Sequence, residues 1–241
     1  MATDSTQPAE DVSSFVGHLR ALKRDGCSLF VVGDVPRYLF TRASESMLGD
    51  DDVDRYRAMV VTDADEESVR SRLPSATDSA GTKTRVLTCA NSVRSVSSER
   101  ASLCSEQSPE VGPTMPEGPE TRTVSDRSEL QTELFDAIEA FDRQADGVRP
   151  AQLRVGVDSL GPMLDICDED EVRQFAERVG ERVRAHNGMA HFVLTESYDS
   201  ERVQRLADAF DAVVELRVQD GDGEERWHLP DSDVTMPWVS L

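Results

Sequence analysis

Acidic side chains stand at the ends of several apolar runs in this chain. Asp34, Asp63, Asp158 and Glu196 each close a run whose apolar character predicts a strand buried on both faces. The carboxyl ends of parallel strands form the usual ligand crevice of open α/β sheets, so these carboxylates and Gly33 are candidate ligand-binding residues. A crevice this acidic repels an anionic nucleotide unless cations accompany it.

Histidine, cysteine and serine form no recognisable catalytic or metal-binding set. The four histidines show no HExxH spacing, the four cysteines include no CxxC, and no G-x-S-x-G is present. The DGDGEE stretch at 220–225 lacks the twelve-residue ligand ladder of a calcium loop, and a hairpin turn fits it better. We therefore expect no catalytic residue, no metal site and reduced cysteines, which favour the cytoplasm.

Short apolar runs alternate with helical patterns along most of the chain. The pattern predicts strands at 27–34, 55–63, 84–89, 153–160 and 190–196. It predicts helices at 11–22, 37–48, 64–73 and 200–210. Two more helices are predicted to begin at Ser128, where the spacing fits a capping box, and at Asp168. Residues 211–230 predict a hairpin. The alternation favours a mainly parallel α/β sheet that ends in an antiparallel hairpin.

The domain organisation is interrupted near the middle of the chain. Residues 91–108 include seven serines, and 109–119 include four prolines. Because no periodicity survives there, we predict a long mobile loop at about 100–123. The remaining prediction is a flexible N-terminus at 1–10 and one domain from 11 to 241.

Composition excludes two classes of partner. Lys and Arg number 26 against 47 Asp and Glu, a net charge of −21, and only Lys23 and Lys83 are lysines. Such a surface disfavours a nucleic-acid binder, and no apolar run approaches the roughly 18 residues of a membrane span. Dispersed carboxylates paired with arginine in place of lysine favour a protein adapted to a salt-rich cytoplasm.

Four segments carry a family resemblance. VVGDVP (31–36), LRVGVDSLGPML (153–164), HFVLTE (191–196) and the stretch at 211–230 resemble the RecA-like ATPases, in particular the KaiC- and RadA-related branch and its haloarchaeal relatives. In that family the first segment lies at the phosphate loop, and the second resembles the Walker B strand. The resemblance implies a three-layer fold with helices on both faces of the sheet. It places a vestigial nucleotide crevice at Gly33, Asp34, Arg37, Asp158, Ser159 and Glu196.

The phosphate loop itself is degenerate. A functional loop has the spacing G-x-x-x-x-G-K-[ST], in which glycines let backbone N–H groups wrap phosphate, and Lys and the hydroxyl meet the γ-phosphate and magnesium. Counted from Gly33, the second glycine is replaced by Tyr38, the lysine by Leu39 and the hydroxyl residue by Phe40. Pro36 removes a further N–H donor. The chain is therefore predicted to lack ATPase activity.

Three retained residues allow two interpretations each. Asp158 could hold a magnesium-bound water beside ATP, or could cap the next turn with Ser159 and Gly161. Glu196 stands where RecA-like enzymes place a polar sensor, but a solvated strand end fits equally. Arg37 could offer charge to a ligand, although a salt bridge at a helix start fits better.

The function favoured by these patterns is a non-catalytic regulatory or protein-interaction module, without a cofactor and with an unknown protein partner. One alternative is an ATP- and magnesium-binding protein with a nonstandard phosphate loop. Another is a subunit of a RecA-like assembly. The apolar C-terminus around Trp227 and Trp238 either docks on the sheet or forms a homo-oligomer contact. The resemblance also suggests a role in signalling.

Overall fold

The computed structural model describes residues 17–49, 53–62, 83–89, 120–230 and 234–241. The strands are β1 (Cys27–Val32), β2 (Tyr56–Val61), β3 (Thr84–Cys89), β4 (Glu120–Val124), β5 (Leu153–Val157), β6 (Met189–Leu194), β7 (Ala212–Gln219), β8 (Asp222–Leu229), β9 (Val234–Thr235) and β10 (Val239–Ser240). The helices are α1 (17–25), α2 (Arg37–Leu48), α3 (Arg127–Ala145), α4 (Gly161–Leu164), α5 (Glu169–Ala185) and α6 (Glu201–Ala207).

The described strands form one sheet in the order β10-β8-β7-β1-β6-β5-β2-β3-β4, with β9 also paired to β8. The pairings from β7 through β4 are parallel, whereas β8 runs antiparallel to β7, β9 and β10. The parallel strands therefore end at a common edge, where β6 lies between β1 and β5. Ligand sites in open α/β sheets form at such an edge.

Helices cover both faces of the sheet. On one face α3, α5 and α6 share a buried cluster with the strands, which includes Phe141, Phe175 and Phe192. On the other face α2 packs through Leu39 and Phe40. The predicted fold class is confirmed: a three-layer RecA-like α/β fold with a mainly parallel sheet and a C-terminal antiparallel hairpin.

Two buried arginines hold the C-terminal end of α2. The Arg57 Nε donates to the Leu48 carbonyl at 3.2 Å, and the Arg154 Nη1 donates to the Met47 carbonyl at 3.2 Å. Burial lowers the pKa of Arg154 to about 10, so the side chain stays cationic at neutral pH. Positive charge at a helix C-terminus offsets the helix dipole, and these contacts fix α2 over the sheet.

Several predictions of local structure are confirmed and two are wrong. The predicted strands agree with β1, β2, β3, β5 and β6, the 37–48 helix with α2, and the hairpin with β7 and β8. The predicted loop is wrong at its end, because residues 120–123 belong to β4. Ser128 is not the N-cap of α3, since the Asp126 carboxylate accepts from the Ser128 and Glu129 N–H groups instead. Predictions for 1–16, 63–82 and 90–119 lie outside the described residues.

The apolar C-terminus docks back on the sheet, as one of the two interpretations predicted. β10 pairs with β8 in antiparallel register. Two guanidinium groups contact the Trp238 ring: the Arg217 Cζ lies 4.0 Å from the ring centroid and the Arg226 Cζ 4.5 Å from it. Cation–π contacts of this kind hold the tail to the hairpin.

Candidate functional site

A short turn joins β1 to α2 at the place of the resembled phosphate loop. Pro36 is the N-cap residue, and the helix begins at Arg37. Leu39 and Phe40 are then the third and fourth residues of α2, with 1% and 2% exposed surface. The two positions that carry Lys and a hydroxyl in a working loop are therefore occupied here by buried apolar side chains.

Gly33 serves the packing of the sheet. A Cβ at this position would lie 2.7 Å from the Leu216 carbonyl oxygen, so only glycine lets β1 pass β7 here. The Gly33 N–H donates to the Glu196 carbonyl at 2.8 Å. The glycine identified as a phosphate-loop residue thus has a structural reason that involves no ligand.

Asp158 is the buried centre of the carboxyl-end crevice. Its side chain has no exposed surface, and its Oδ1 accepts from the Thr62 N–H at 2.7 Å and lies 2.9 Å from the Thr62 hydroxyl. The Arg37 guanidinium lies 3.6 Å from Oδ2. The carboxylate is thus held by β2 on one side and faced by the first residue of α2 on the other.

The turn after Asp158 is fixed by neighbouring strands. The Thr62 hydroxyl lies 2.6 Å from the Ser159 carbonyl, and the Leu160 N–H donates to the Val193 carbonyl at 2.7 Å. The Ser159 hydroxyl accepts from the Gly161 N–H at 3.2 Å, which is the capping interaction predicted for this turn. Ser159 is therefore used inside the turn.

The Glu196 carboxylate points to the next helix. It accepts from the Ser200 hydroxyl at 3.0 Å and forms an ion pair with Arg202. Arg202 also approaches Glu169 at the start of α5, at 3.4 Å. The ion pairs tie α6 to α5, so the side chain acts in packing between helices.

Two other acidic residues were predicted at this edge of the sheet, Asp34 and Asp63. Asp34 is exposed in the turn after β1. Asp63 lies outside the described residues. Thr62 binds the Asp158 carboxylate through its N–H and its hydroxyl, but the sequence pattern indicated its neighbour Asp63 instead. The only feature of the sequence that could have identified Thr62 is its position at the end of a buried strand.

Two further polar features of the sheet are the Cys89 thiol and a contact between Ser44 and His191. Burial, with a smaller contribution from the Asp158 charge, raises the pKa of Cys89 to about 11, so its thiol is protonated at neutral pH. The Ser44 hydroxyl lies 2.7 Å from the His191 Nε2, but the two residues are 1% and 2% exposed. This Ser–His contact, missed from the sequence, links α2 to β6 without access for a substrate.

Two kinds of feature among the described residues bear on metals and membranes: clusters of metal-ligating side chains and apolar helices long enough to cross a membrane. Within them, His, Cys, Asp and Glu side chains do not gather in threes at metal-binding geometry. Among the described helices, none has both the length and the apolar character of a membrane span.

The layered arrangement defines the class of fold: a RecA-like α/β fold built on a mainly parallel sheet. The chain belongs to a family of unknown function, DUF7504, whose profile matches residues 26–216. No curated protein matches it. A similar solved structure is the uncharacterized protein PH0321 from Pyrococcus horikoshii, crystallised in complex with an unknown peptide. It shares 12% identity at a TM-score of 0.52, over 87% of this chain and 88% of that one.

Proposed function

We propose that this protein is a non-catalytic RecA-like module that works by binding another protein. The observation that carries the proposal is the burial of Leu39 and Phe40 in the core beneath α2. A lysine or a threonine there would face the apolar side of the sheet, where a charge without a partner is strongly unfavourable. In our proposal, the start of α2 therefore packs on the sheet in place of forming a phosphate-binding loop.

The state of Asp158 supports the same proposal. A carboxylate that orients a magnesium-bound water needs an open side toward the ligand. Here Thr62 holds one oxygen and the Arg37 guanidinium faces the other at 3.6 Å. The crevice is thus neutralised from within the chain.

Protein binding is favoured over other non-catalytic roles by two features. The net charge of −21 opposes binding to nucleic acid. The similar structure from Pyrococcus horikoshii was crystallised in complex with an unknown peptide, and we extend peptide binding from that protein to this chain as part of the proposal. We place the module in a salt-rich cytoplasm, with a regulatory role.

Calorimetric titration with ATP and Mg²⁺ in about 2 M KCl tests the proposal. We expect no saturable heat at submillimolar nucleotide. The matched variants are Asp158→Asn in the crevice and Asp34→Asn on the exposed turn. Saturable binding that is lost in Asp158→Asn and kept in Asp34→Asn would establish the alternative, an ATP-binding protein with a nonstandard phosphate loop.

A further inference from the structure

Exposed apolar side chains gather at the carboxyl-end edge on the α2 face. Tyr38 is 58% exposed, Val218 43% and Val239 52%, and these are three of the five large apolar residues exposed in the described part of the chain. They come from three separate elements, the first turn of α2, the end of β7 and β10. Exposed apolar residues that cluster mark an interaction surface, whereas scattered ones do not.

The strand register puts Val218 and Val239 on the same face of the sheet. Val218 follows Leu216 by two residues, and Leu216 is buried against α2, so both point to the α2 side. Val239 is paired with Glu225, which is also paired with Leu216. Residues directly opposite in an antiparallel pair share a face, so Val239 points the same way.

The first turn of α2 packs directly on the hairpin. Gly223 is the register partner of Val218, and a Cβ at Gly223 would lie 2.4 Å from the Leu39 Cδ2. Tyr38 precedes Leu39 in the same turn of α2 and is exposed on the solvent side of that turn. Partly buried Val35 and Leu241 pack against the same core cluster and complete the surface. We call these five residues, Val35, Tyr38, Val218, Val239 and Leu241, the hairpin patch.

Carboxylates surround the hairpin patch. Asp34 is exposed next to Val35, Asp220 is exposed at the hairpin turn, and Glu225 lies opposite Val239 on the same face. Arg42 stands one helical turn after Tyr38, whereas the Arg37 charge faces Asp158. The patch is thus apolar with a mainly acidic rim.

We propose that the hairpin patch docks a basic amphipathic segment of a partner protein. Its aliphatic or aromatic side chains cover Tyr38, Val218 and Val239, and its arginines or lysines face the carboxylate rim. A second copy of this chain fits less well, because its own hairpin patch would bring a second acidic rim into contact with the first, and charges in direct contact are screened less by salt than distant ones. The inference rests on the proposed function and names the chemistry of the partner.

Selection from a display library of random 14-residue peptides tests this docking site. We expect enrichment of sequences that combine arginine or lysine with large apolar residues. Synthetic copies of the enriched peptides should bind Tyr38→Ser and Val218→Ser at least about tenfold more weakly. Val53→Ser is the matched control, since Val53 is 45% exposed but precedes β2, at the amino-end edge of the sheet and away from the hairpin patch. The affinity of this variant for the peptides should equal that of the wild type.

Each other outcome counts against the proposal. No enrichment, enrichment without basic residues, or equal weakening in Val53→Ser would overturn the docking site. A concentration-dependent dimer in sedimentation that Tyr38→Ser abolishes would assign the patch to a second copy instead. ATP calorimetry on the same preparations separates the two hypotheses, because nucleotide binding alongside intact peptide binding would contradict only the non-catalytic function.

Discussion

The Arg37 guanidinium lies 3.6 Å from the Asp158 carboxylate, so the first residue of α2 faces the residue that follows β5. The two strands that lead to them, β1 and β5, are separated in the sheet by β6. The contact therefore spans β6 at the carboxyl-end edge of the sheet. A positive charge supplied by the protein lies where the resemblance to RecA-like ATPases places a vestigial nucleotide crevice.

Removing this charge should destabilise the fold. Arg37→Gln leaves the buried Asp158 carboxylate with its Thr62 contacts but without an opposite charge. Because Arg37 is partly exposed, we expect a loss of about 1–2 kcal/mol in the free energy of unfolding, measured by denaturant titration. Arg42→Gln, on the same helix and exposed, should change it by less than about 0.5 kcal/mol. Equal stability of the two variants would contradict a role for Arg37 in the crevice.

Restoring the phosphate-loop residues should damage the protein without creating a site. In Leu39→Lys/Phe40→Thr, a charge and a hydroxyl enter the core beneath α2. We expect a loss of about 3 kcal/mol or more in the free energy of unfolding and no gain in ATP affinity. The control is Tyr38→Ser, which alters the exposed neighbour. A stable double variant that binds ATP would show that α2 is not committed to packing.

Lowering the pH should weaken the contact between the hairpin and the rest of the fold. Burial lowers the pKa of His228 below its usual value, although the Glu215 carboxylate, 2.8 Å from its Nε2, acts in the opposite direction. The His228 ring also stacks on Tyr198, with centroids 3.9 Å apart. Because folding favours the neutral imidazole, its contribution is complete above the unfolded pKa, about 6.5, and is lost as pH falls through the lower folded pKa.

Thermal unfolding at pH 7.5 and pH 5.5 measures this effect. The wild-type midpoint should fall between the two values by more than that of His228→Gln, in which the titrating group is absent. An identical fall in both proteins would assign the pH dependence to other groups.

Salt should stabilise the protein strongly. At about 0.1 M the Debye length is roughly 10 Å, so the excess carboxylates repel one another, whereas at about 1 M it is roughly 3 Å. The midpoint of thermal unfolding should rise steadily as KCl is raised from about 0.1 M to 2 M. Arginine forks such as Arg205 on Glu169, with N–O distances of 2.8 and 2.9 Å, relieve only part of this repulsion. A midpoint that does not depend on salt would contradict the proposal that this protein is adapted to a salt-rich cytoplasm.

The sequence predicted the buried strands well and the edge strand poorly. β1 and β2 are buried at every position, so each strand is visible in the sequence as a nearly continuous apolar run. Of the five residues of β4 only Val124 is buried, so the strand carries no apolar alternation and follows a proline-rich stretch. Its position is set by pairing with β3, a relationship between distant residues that composition does not reveal.

The candidate site was predicted in the same uneven way. Asp158 was identified because it ends an apolar run, whereas the replacement of the phosphate-loop residues stays a prediction that depends on the resemblance. The partner of Asp158 was not identified, since Thr62 lies 96 residues earlier in the chain. The Ser44–His191 contact joins residues 147 apart. Such pairs depend on sheet order and on the placement of α2, which only the fold supplies.

Hydrogen exchange across residues 33–40, with and without saturating ATP and Mg²⁺, tests the central claim most directly. These residues form the turn and the first part of α2, where a phosphate loop would close on its ligand. We predict the same exchange rates in both conditions, because Leu39 and Phe40 pack into the core and Arg37 faces Asp158. Protection of these amides by nucleotide would contradict the assignment of this protein as a non-catalytic module.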